Sequence, residues 1–373
     1  MANLENSEIL KYALEEVNGA IRRGELIAGD DEGINKAVAQ AVENAVERSE
    51  QLTPTGHAWL RRKIEKWRPV RRKKMAKVRR ANLRRWGRGL RYYENCIVTS
   101  EVLNKMLEDC IGAWVLNDRS VISENLLGVE GVMGGKGLKC LTLLSLQSRA
   151  CSIANEIGLL SEHGYPEAVM SRTRSLHELA VVAHALSAHG LADTSVSDRY
   201  GAWTVAEAKK EWRVLSGLGM DPDALSGIDA ELQVCAEAAW GSDFFKQNGW
   251  ASPLFPGRRP PIPLSDIETF VGMNHMRQYY LAGNDAIHAG PRALAGRARF
   301  RDGAIFPTSS EVQHETTRYF LAVSAIMLAE ICAAACEVVS SITEDFDALF
   351  ALKAMGDAVE QARGEFESGG MRP

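Results

Sequence analysis

Several sequence patterns that would assign a function directly are missing from this chain of 373 residues. Its seven cysteines form no Cys-x-x-Cys pair and its eight histidines no His-x-x-x-His pair, so neither a zinc site nor a disulfide framework is indicated. A Gly-x-Ser-x-Gly elbow, typical of serine hydrolases, is also missing. We therefore expect reduced core cysteines in a cytoplasmic protein, with no metal and no cofactor.

Long apolar runs and strict alternation of apolar and polar residues are also missing. The most apolar run, Tyr319–Ala329, has only 11 residues, which is too short to span a bilayer and suits a buried helix. The acidic, amphipathic N-terminus does not look like a signal peptide. Apolar residues recur mainly at helical spacing, so the sequence predicts an all-α protein, a multi-helix bundle with an N-terminal helical basic region.

Acidic residues are nearly missing from Arg61–Arg91, which holds 16 Lys or Arg and only Glu65 as an acid. Because the net charge is −4, this basic segment of +15 leaves −19 on the rest of the chain. We expect the segment either to bind an anionic partner, RNA or DNA, or to dock on the acidic remainder. The candidate contact residues are Arg72, Lys73, Lys74, Arg79, Arg80, Arg84 and Arg85.

Aromatic and apolar residues are interleaved with these cations. Trp67 and Trp86 fit a stripe at helical spacing, which favours packing in the core, although aromatic rings beside arginines also suit base stacking. Pro69 and the sequence Thr53-Pro54-Thr55 predict breaks in the helical pattern. A solvated helix face, neutralised elsewhere in the chain, is the alternative interpretation of the charge.

The region from Leu141 to Leu186 predicts a helical hairpin, because Gly164-Tyr165-Pro166 separates two apolar helical segments. The second segment carries a polar cluster. Arg174, His177 and Glu178 share one helix face with spacings of three and four residues. This cluster is either an Arg–Glu pair that locks the hairpin or part of a functional site.

A second polar stripe lies between His275 and Gly290. Arg277, Tyr280, Asn284 and His288 recur at helical spacing, and Gly290 is expected to follow the helix end. If the two helices pack together, Arg174, Glu178, Arg277, Asn284 and His288 would form one site. Arginines there could hold a phosphate, with His288 or His177 as general acid or base. The alternative is a buried hydrogen-bond network that fixes helix register.

The segments YPEAVMSRTRSLHEL and YYLAGNDAIHAG together resemble a bacterial family of uncharacterised helical proteins, domain of unknown function 5677. The resemblance matches Arg174 and Glu178, then Tyr280 and His288, and covers roughly residues 140–340. Asn284 lies where that family usually has a Ser. The resemblance implies a helical fold and no settled activity.

A weaker likeness is to the HEPN ribonucleases of bacterial defence and toxin systems, whose motif is Arg, a polar residue, three others and His. The segment from Gly283 to His288 keeps the Asn and the His but has Gly in place of the catalytic Arg. Arg172 and His177 have the outer spacing, with Thr173 in the polar position. Arg277, two turns before His288, is the arginine that could substitute.

The sequence thus leaves two hypotheses. The first is a nucleic-acid-binding protein with the activity of a metal-independent ribonuclease, and the second is a non-enzymatic scaffold with a structural Arg–Glu–His network. The glycine-rich stretch from Gly128 to Gly137 predicts a linker. The expected organisation is residues 1–127, a helical core at 138–345 and a C-terminal helix and tail at 346–373, with a homodimer compatible with the sequence.

Overall fold

The computed structural model describes scattered residues between 15 and 44, then residues 53–217, 227–287, 298–301, 304–307, 314–343 and 347–368. Nearly all of this is helical, so the all-α prediction is confirmed. The helices are α1 Thr53–Asn117, α2 Gly135–His163, α3 Pro166–Ser187, α4 Ser195–Gly217, α5 Gly227–Trp240, α6 Leu264–Phe270, α7 Arg277–Ile287, α8 His314–Thr343 and α9 Asp347–Glu367.

The chain divides into two compact units, Met1–Ala76 and Lys77–Pro373. In the second unit α8 lies at the centre and packs against α2, α3 and α9. The stretch Thr317–Ser341 of α8 is long and apolar enough to cross a membrane, but 72% of its most apolar window is buried inside the fold. It is therefore a core helix, as predicted for this region, and its cysteines Cys332 and Cys336 are buried and free.

The predicted hairpin is confirmed as α2 and α3. Gly164 has φ 74° and ends α2, because a residue with a Cβ is strained in this left-handed conformation. Pro166 occupies the first turn of α3. A backbone N–H at this position has no partner within the helix, so proline loses no hydrogen bond there. The two helices then pack against each other over their length.

The predicted break at Pro69 is wrong, since α1 begins at Thr53 and runs without interruption to Asn117. Pro54 falls in the first helical turn, where proline is tolerated. Pro69 lies inside the helix and removes one backbone hydrogen bond. Its neighbours are mostly Lys and Arg, which are good helix formers, and they sustain the helix around it.

The segment before the second polar stripe forms a short helix of its own, α6, which is separated from α7. Gly272, with φ 76°, follows α6, and the Met273 N–H donates to the Glu268 carbonyl at 2.8 Å. A short 3₁₀ turn, Asn274–Met276, then leads into α7. This break changes the direction of the chain and allows a side chain of α6 to meet α7.

Short ordered segments lie between the helices. An antiparallel pair of strands is formed by β1 Ala298–Arg301 and β2 Ala304–Pro307. In the proline-rich segment after Gly249, Trp250, Leu254 and Ile262 are buried. The predicted linker packs as a tight loop, in which the Leu126 N–H donates to the Val132 carbonyl at 2.7 Å.

Candidate functional site

Helices α3 and α7 lie in close contact, which confirms the prediction that the two polar stripes are neighbours over the part of the chain that is described. The contact is tightest at Gly283. A Cβ at this position would lie 2.6 Å from both the Arg174 Cβ and the Met170 carbonyl oxygen. Glycine is therefore required here for the close approach of the two backbones.

Arg174 connects the two helices at the edge of this contact. Its Nη2 donates to the Tyr280 hydroxyl at 3.2 Å, and its guanidinium lies 4.9 Å from the centre of the Tyr280 ring. The same Nη2 forms an ion pair with Glu178 Oε1 at 3.1 Å. The Arg174 and Glu178 side chains are 23% and 42% exposed, so this pair reaches solvent.

A second ionic group involves His177, which lies between Arg174 and Glu178 on α3, and this group is closed to solvent. The side chains of His177 and Glu268 are both 0% exposed, and His177 Nε2 lies 2.9 Å from Glu268 Oε1. Arg277 Nη1 donates to the other oxygen, Glu268 Oε2, at 2.6 Å. Glu268 on α6 therefore joins α3 to α7 through both of its carboxylate oxygens.

The protonation of His177 follows from its surroundings. Burial lowers the pKa of His177, and this outweighs the hydrogen bond to Glu268, which acts in the opposite direction. The ring is then neutral at pH 7, with its proton on Nε2 directed at Glu268. In the described structure His177 Nδ1 has no hydrogen-bond partner, which suits an unprotonated nitrogen. His177 thus has a fixed tautomer and lies too deep to reach a substrate directly.

The structure brings together three of the five predicted site residues, Arg174, Glu178 and Arg277, around Tyr280 and α6. Asn284 lies one turn beyond Tyr280 on α7 and is partly buried. His288 lies outside the described residues. The sequence prediction missed Glu268, because this residue meets its partners only through the break at Gly272. In the sequence, Glu268 stands out only as an acidic residue in a short segment flanked by apolar residues.

The HEPN-like interpretation of residues 283–288 conflicts with the packing. That motif has Arg at the place of Gly283, where even a Cβ would meet the backbone of α3. Arg172, the other candidate, forms an ion pair with Glu156 of α2 at 2.5 Å. Neither position therefore supplies a motif arginine to the α3–α7 contact.

The basic segment behaves differently in the two units. In the first unit its apolar stripe is exposed, with Trp67 67% exposed and Leu60 51%. The expectation that Trp67 packs in the core is therefore wrong. In the second unit the stripe is buried, with Trp86 at 3% and Tyr93 at 1%. Helical periodicity predicted the face of the stripe correctly but not which of its residues are covered.

Two cations of the second unit dock on the acidic body. Arg79 pairs with Glu162 at 2.9 Å and Arg88 with Glu365 at 3.2 Å. The Asn82 side-chain amide donates to the carbonyls of Ser161 and Glu162 at the end of α2. These contacts fix the orientation of this part of α1.

The face of α1 opposite the buried stripe carries a row of cations, of which Arg88 also pairs with Glu365. Their spacing of three or four residues places them on one side of the helix, and all are exposed. We call this face the cationic stripe, and it comprises Lys77, Arg80, Arg84, Arg88 and Arg91. Its C-terminal end borders a hollow of about 390 Å³, which is lined by Arg88, Arg91, Tyr92, Glu94 and Asn95.

A family model matches part of the chain. Residues 141–305 match the model of the family of unknown function DUF5677, which agrees with the first resemblance. The matched segment contains α3, α6 and α7, and hence both ionic groups. No curated protein and no solved structure matches the chain. The likeness to HEPN ribonucleases has no support from these comparisons.

Proposed function

We propose that this protein binds nucleic acid through the cationic stripe of α1. The observation that carries the proposal is the arrangement of its five cations, Lys77 to Arg91, on one exposed helix face with no acid between them in the sequence. A row of exposed guanidinium groups is suited to phosphate oxygens, because each offers several donors and a permanent charge.

The dimensions of the stripe suit a nucleic-acid backbone. The 14 residue steps from Lys77 to Arg91 correspond to about 21 Å of helix. Duplex phosphates on one strand are spaced by about 3.4 Å along the axis, so the stripe spans roughly six phosphates. Because α1 is held in place by Trp86 and Tyr93, the cations do not have to be ordered when the nucleic acid binds.

A salt titration with the full-length chain tests the proposal. If each of the five cations neutralises one phosphate, the logarithm of affinity should fall with the logarithm of salt at a slope of about −4.5 for a duplex and about −3.5 for a single strand. Arg80, Arg84 and Arg91 changed together to Glu should abolish binding of a labelled oligonucleotide, measured by fluorescence anisotropy, and leave the helical circular-dichroism signal intact.

The matched control changes three exposed cations elsewhere, Lys105, Lys353 and Arg363, to Glu. Each of these pairs with an acid on its own helix, and the change in net charge is the same as in the stripe variant. The control should bind like the natural protein. Equal loss of binding in both variants would mean that overall charge drives the association, and undiminished binding in the stripe variant would refute the proposal.

A second candidate function, cleavage of RNA, rests on Arg174 and Arg277. They lie on facing helices and are 23% and 38% exposed, with Arg174 bound to the Tyr280 hydroxyl and Arg277 to Glu268. Two guanidinium groups in this position could bind one phosphate and stabilise charge that develops on it during cleavage. Asn284 and His288 continue the same helical stripe in the sequence, with His288 as the candidate general acid or base.

The test incubates total RNA with the purified protein in the presence of a chelator, because the proposed cleavage requires no metal. Arg174→Ala and His288→Ala should each abolish cleavage, while His189→Ala, which changes an exposed histidine at the end of the α3 region, should not. Cleavage that persists in both site variants would reject this activity and favour a structural role for the ionic groups.

A further inference from the structure

The hollow at the C-terminal end of the cationic stripe differs from the rest of the stripe in its chemistry. Its volume of about 390 Å³ lies within the range of about 300–1,000 Å³ that small-ligand sites occupy. Arg88, Arg91 and Asn95 line it together with the ring of Tyr92. Their spacing of three and four residues places these side chains on the same side of α1.

The side chains of the hollow are held in place. Arg88 forms an ion pair with Glu365 of α9 at 3.2 Å and a hydrogen bond with Tyr92, and the hydrogen bond and the carboxylate raise the pKa of Arg88. Tyr92 is partly buried and packs against the hydrophobic core. Packing against the core and the hydrogen bond with Arg88 thus restrain Tyr92, and Arg91 lines the same hollow.

This combination offers complementary groups to each part of a nucleotide. Arg88 and Arg91 can contact a phosphate, and an aromatic face can stack a base of any sequence. Asn95 can donate to and accept from a base edge, and Glu94 can accept from an exocyclic amino group. A duplex keeps its bases stacked inside the helix, so only an unpaired base can enter such a hollow.

We propose that the hollow lined by Arg88, Arg91, Tyr92, Glu94 and Asn95 binds one unpaired nucleotide, and that the protein therefore prefers single-stranded nucleic acid. This inference depends on the proposed binding along the cationic stripe, which supplies the contacts to the rest of the strand. The stripe gives affinity for phosphates of any strand, and the hollow gives the preference for a free base.

The experiment compares three labelled probes on the full-length chain at one salt concentration. The probes are a twelve-nucleotide thymidine strand, the same backbone without bases, and a duplex of the same length. Tyr92→Ala should weaken binding of the thymidine strand by about 5- to 150-fold, the loss of one stacked base. Binding of the baseless strand and of the duplex should change less than twofold.

Two further variants separate stacking from folding. Tyr92→Leu keeps an apolar side chain against the core and should lose the same preference, while Tyr92→Phe keeps the ring and should retain it. The matched control is Tyr319→Ala, which removes an exposed tyrosine that also lies beside an arginine, with the Arg318 guanidinium 4.7 Å from its ring centre. This control should bind all three probes like the natural protein.

The outcomes distinguish the two proposals. If the natural protein binds none of the probes, the cationic stripe fails and the inference fails with it. If it binds all three but Tyr92→Leu weakens them equally or not at all, the stripe stands and the nucleotide site is refuted. Binding of free adenosine monophosphate by a protein that has no affinity for any of the three probes would also refute it and identify a mononucleotide site.

Discussion

Two ionic groups share α3, where His177 lies between Arg174 and Glu178 in the sequence, and they differ in burial far more than in residue type. Arg174 and Glu178 are partly exposed, whereas His177 and Glu268 are fully enclosed. A charge pair in water has a small net effect on stability, because solvent competes for both partners. An enclosed pair consists of similar residues, but loss of one partner leaves the other buried without a hydrogen-bond partner. Burial therefore decides which residues hold the fold and which are available for a ligand.

The largest expected effect is at Glu268, which accepts from both His177 and Arg277. Glu268→Ala should lower the free energy of unfolding by about 3 kcal/mol, the lower end of the range for breaking a buried pair. The lower end applies because Arg277 is 38% exposed and can turn to water. Urea denaturation measures the difference.

The control for this change is on the same short helix. Asp266 pairs with Arg258 at 2.5 Å, and its side chain is 31% exposed. Asp266→Ala should cost less than about 1 kcal/mol, as for other pairs near the surface. A cost at Glu268 no larger than at Asp266 would mean that the enclosed group contributes no more than the open one.

The next effect concerns the close contact that brings the two groups together. Gly283→Ala adds a Cβ 2.6 Å from the Met170 carbonyl oxygen, so the helices must separate, at about 1–3 kcal/mol. Gly356→Ala is the matched control, because no atom of the described structure lies within 4 Å of a Cβ there. In α9 alanine should stabilise the protein by about 0.5–1 kcal/mol. Opposite signs for the two substitutions are the expected result.

A third expected effect is a dependence of stability on pH, which comes from the protonation of His177 in the enclosed group. Burial lowers the pKa of His177 from about 6.5, so the unfolded chain takes up this proton at a higher pH than the folded one. The contribution to stability is full above about pH 6.5 and falls as the pH drops, by at most about 1.4 kcal/mol per unit. The groups that act on His177 are Glu268, Glu178 and Arg277.

Chemical denaturation at pH 7.5, 6.5 and 5.5 should show this loss in the natural protein and a smaller loss in His177→Gln. His189→Gln, at an exposed position, should retain the full pH dependence. Parallel curves for the natural protein and His177→Gln would show that the pKa of His177 is the same in the folded and unfolded states.

The contrast between local and distant contacts explains how much the sequence predicted. The helical hairpin was predictable because Gly164, Tyr165 and Pro166 are adjacent and each has a local conformational preference. The contact between α3 and α7 was inferred from polar groups that a packed helix must satisfy. Both arguments use only the spacing of residues within one segment.

The enclosed group was not predictable in this way. Glu268 and His177 are 91 positions apart in the sequence, and they meet because Gly272 ends α6. Likewise, Trp67 and Trp86 occupy the same helical stripe, but their exposures of 67% and 3% depend on which neighbours cover them. Periodicity identifies a face, whereas burial is a property of the whole fold.

The smallest expected effect is at Glu178, where the sequence had suggested a loss of several kcal/mol if the pair with Arg174 were buried. With the Glu178 side chain 42% exposed, Glu178→Ala should cost less than about 1 kcal/mol. Arg174→Ala should cost more, because it also loses the stacking and the hydrogen bond with Tyr280. A double-mutant cycle should give a coupling energy of about 0.2–1 kcal/mol that shrinks in 1 M salt. A larger coupling that salt leaves unchanged would show that the two groups on α3 are equally shielded, and the open one would then have no advantage as a ligand site.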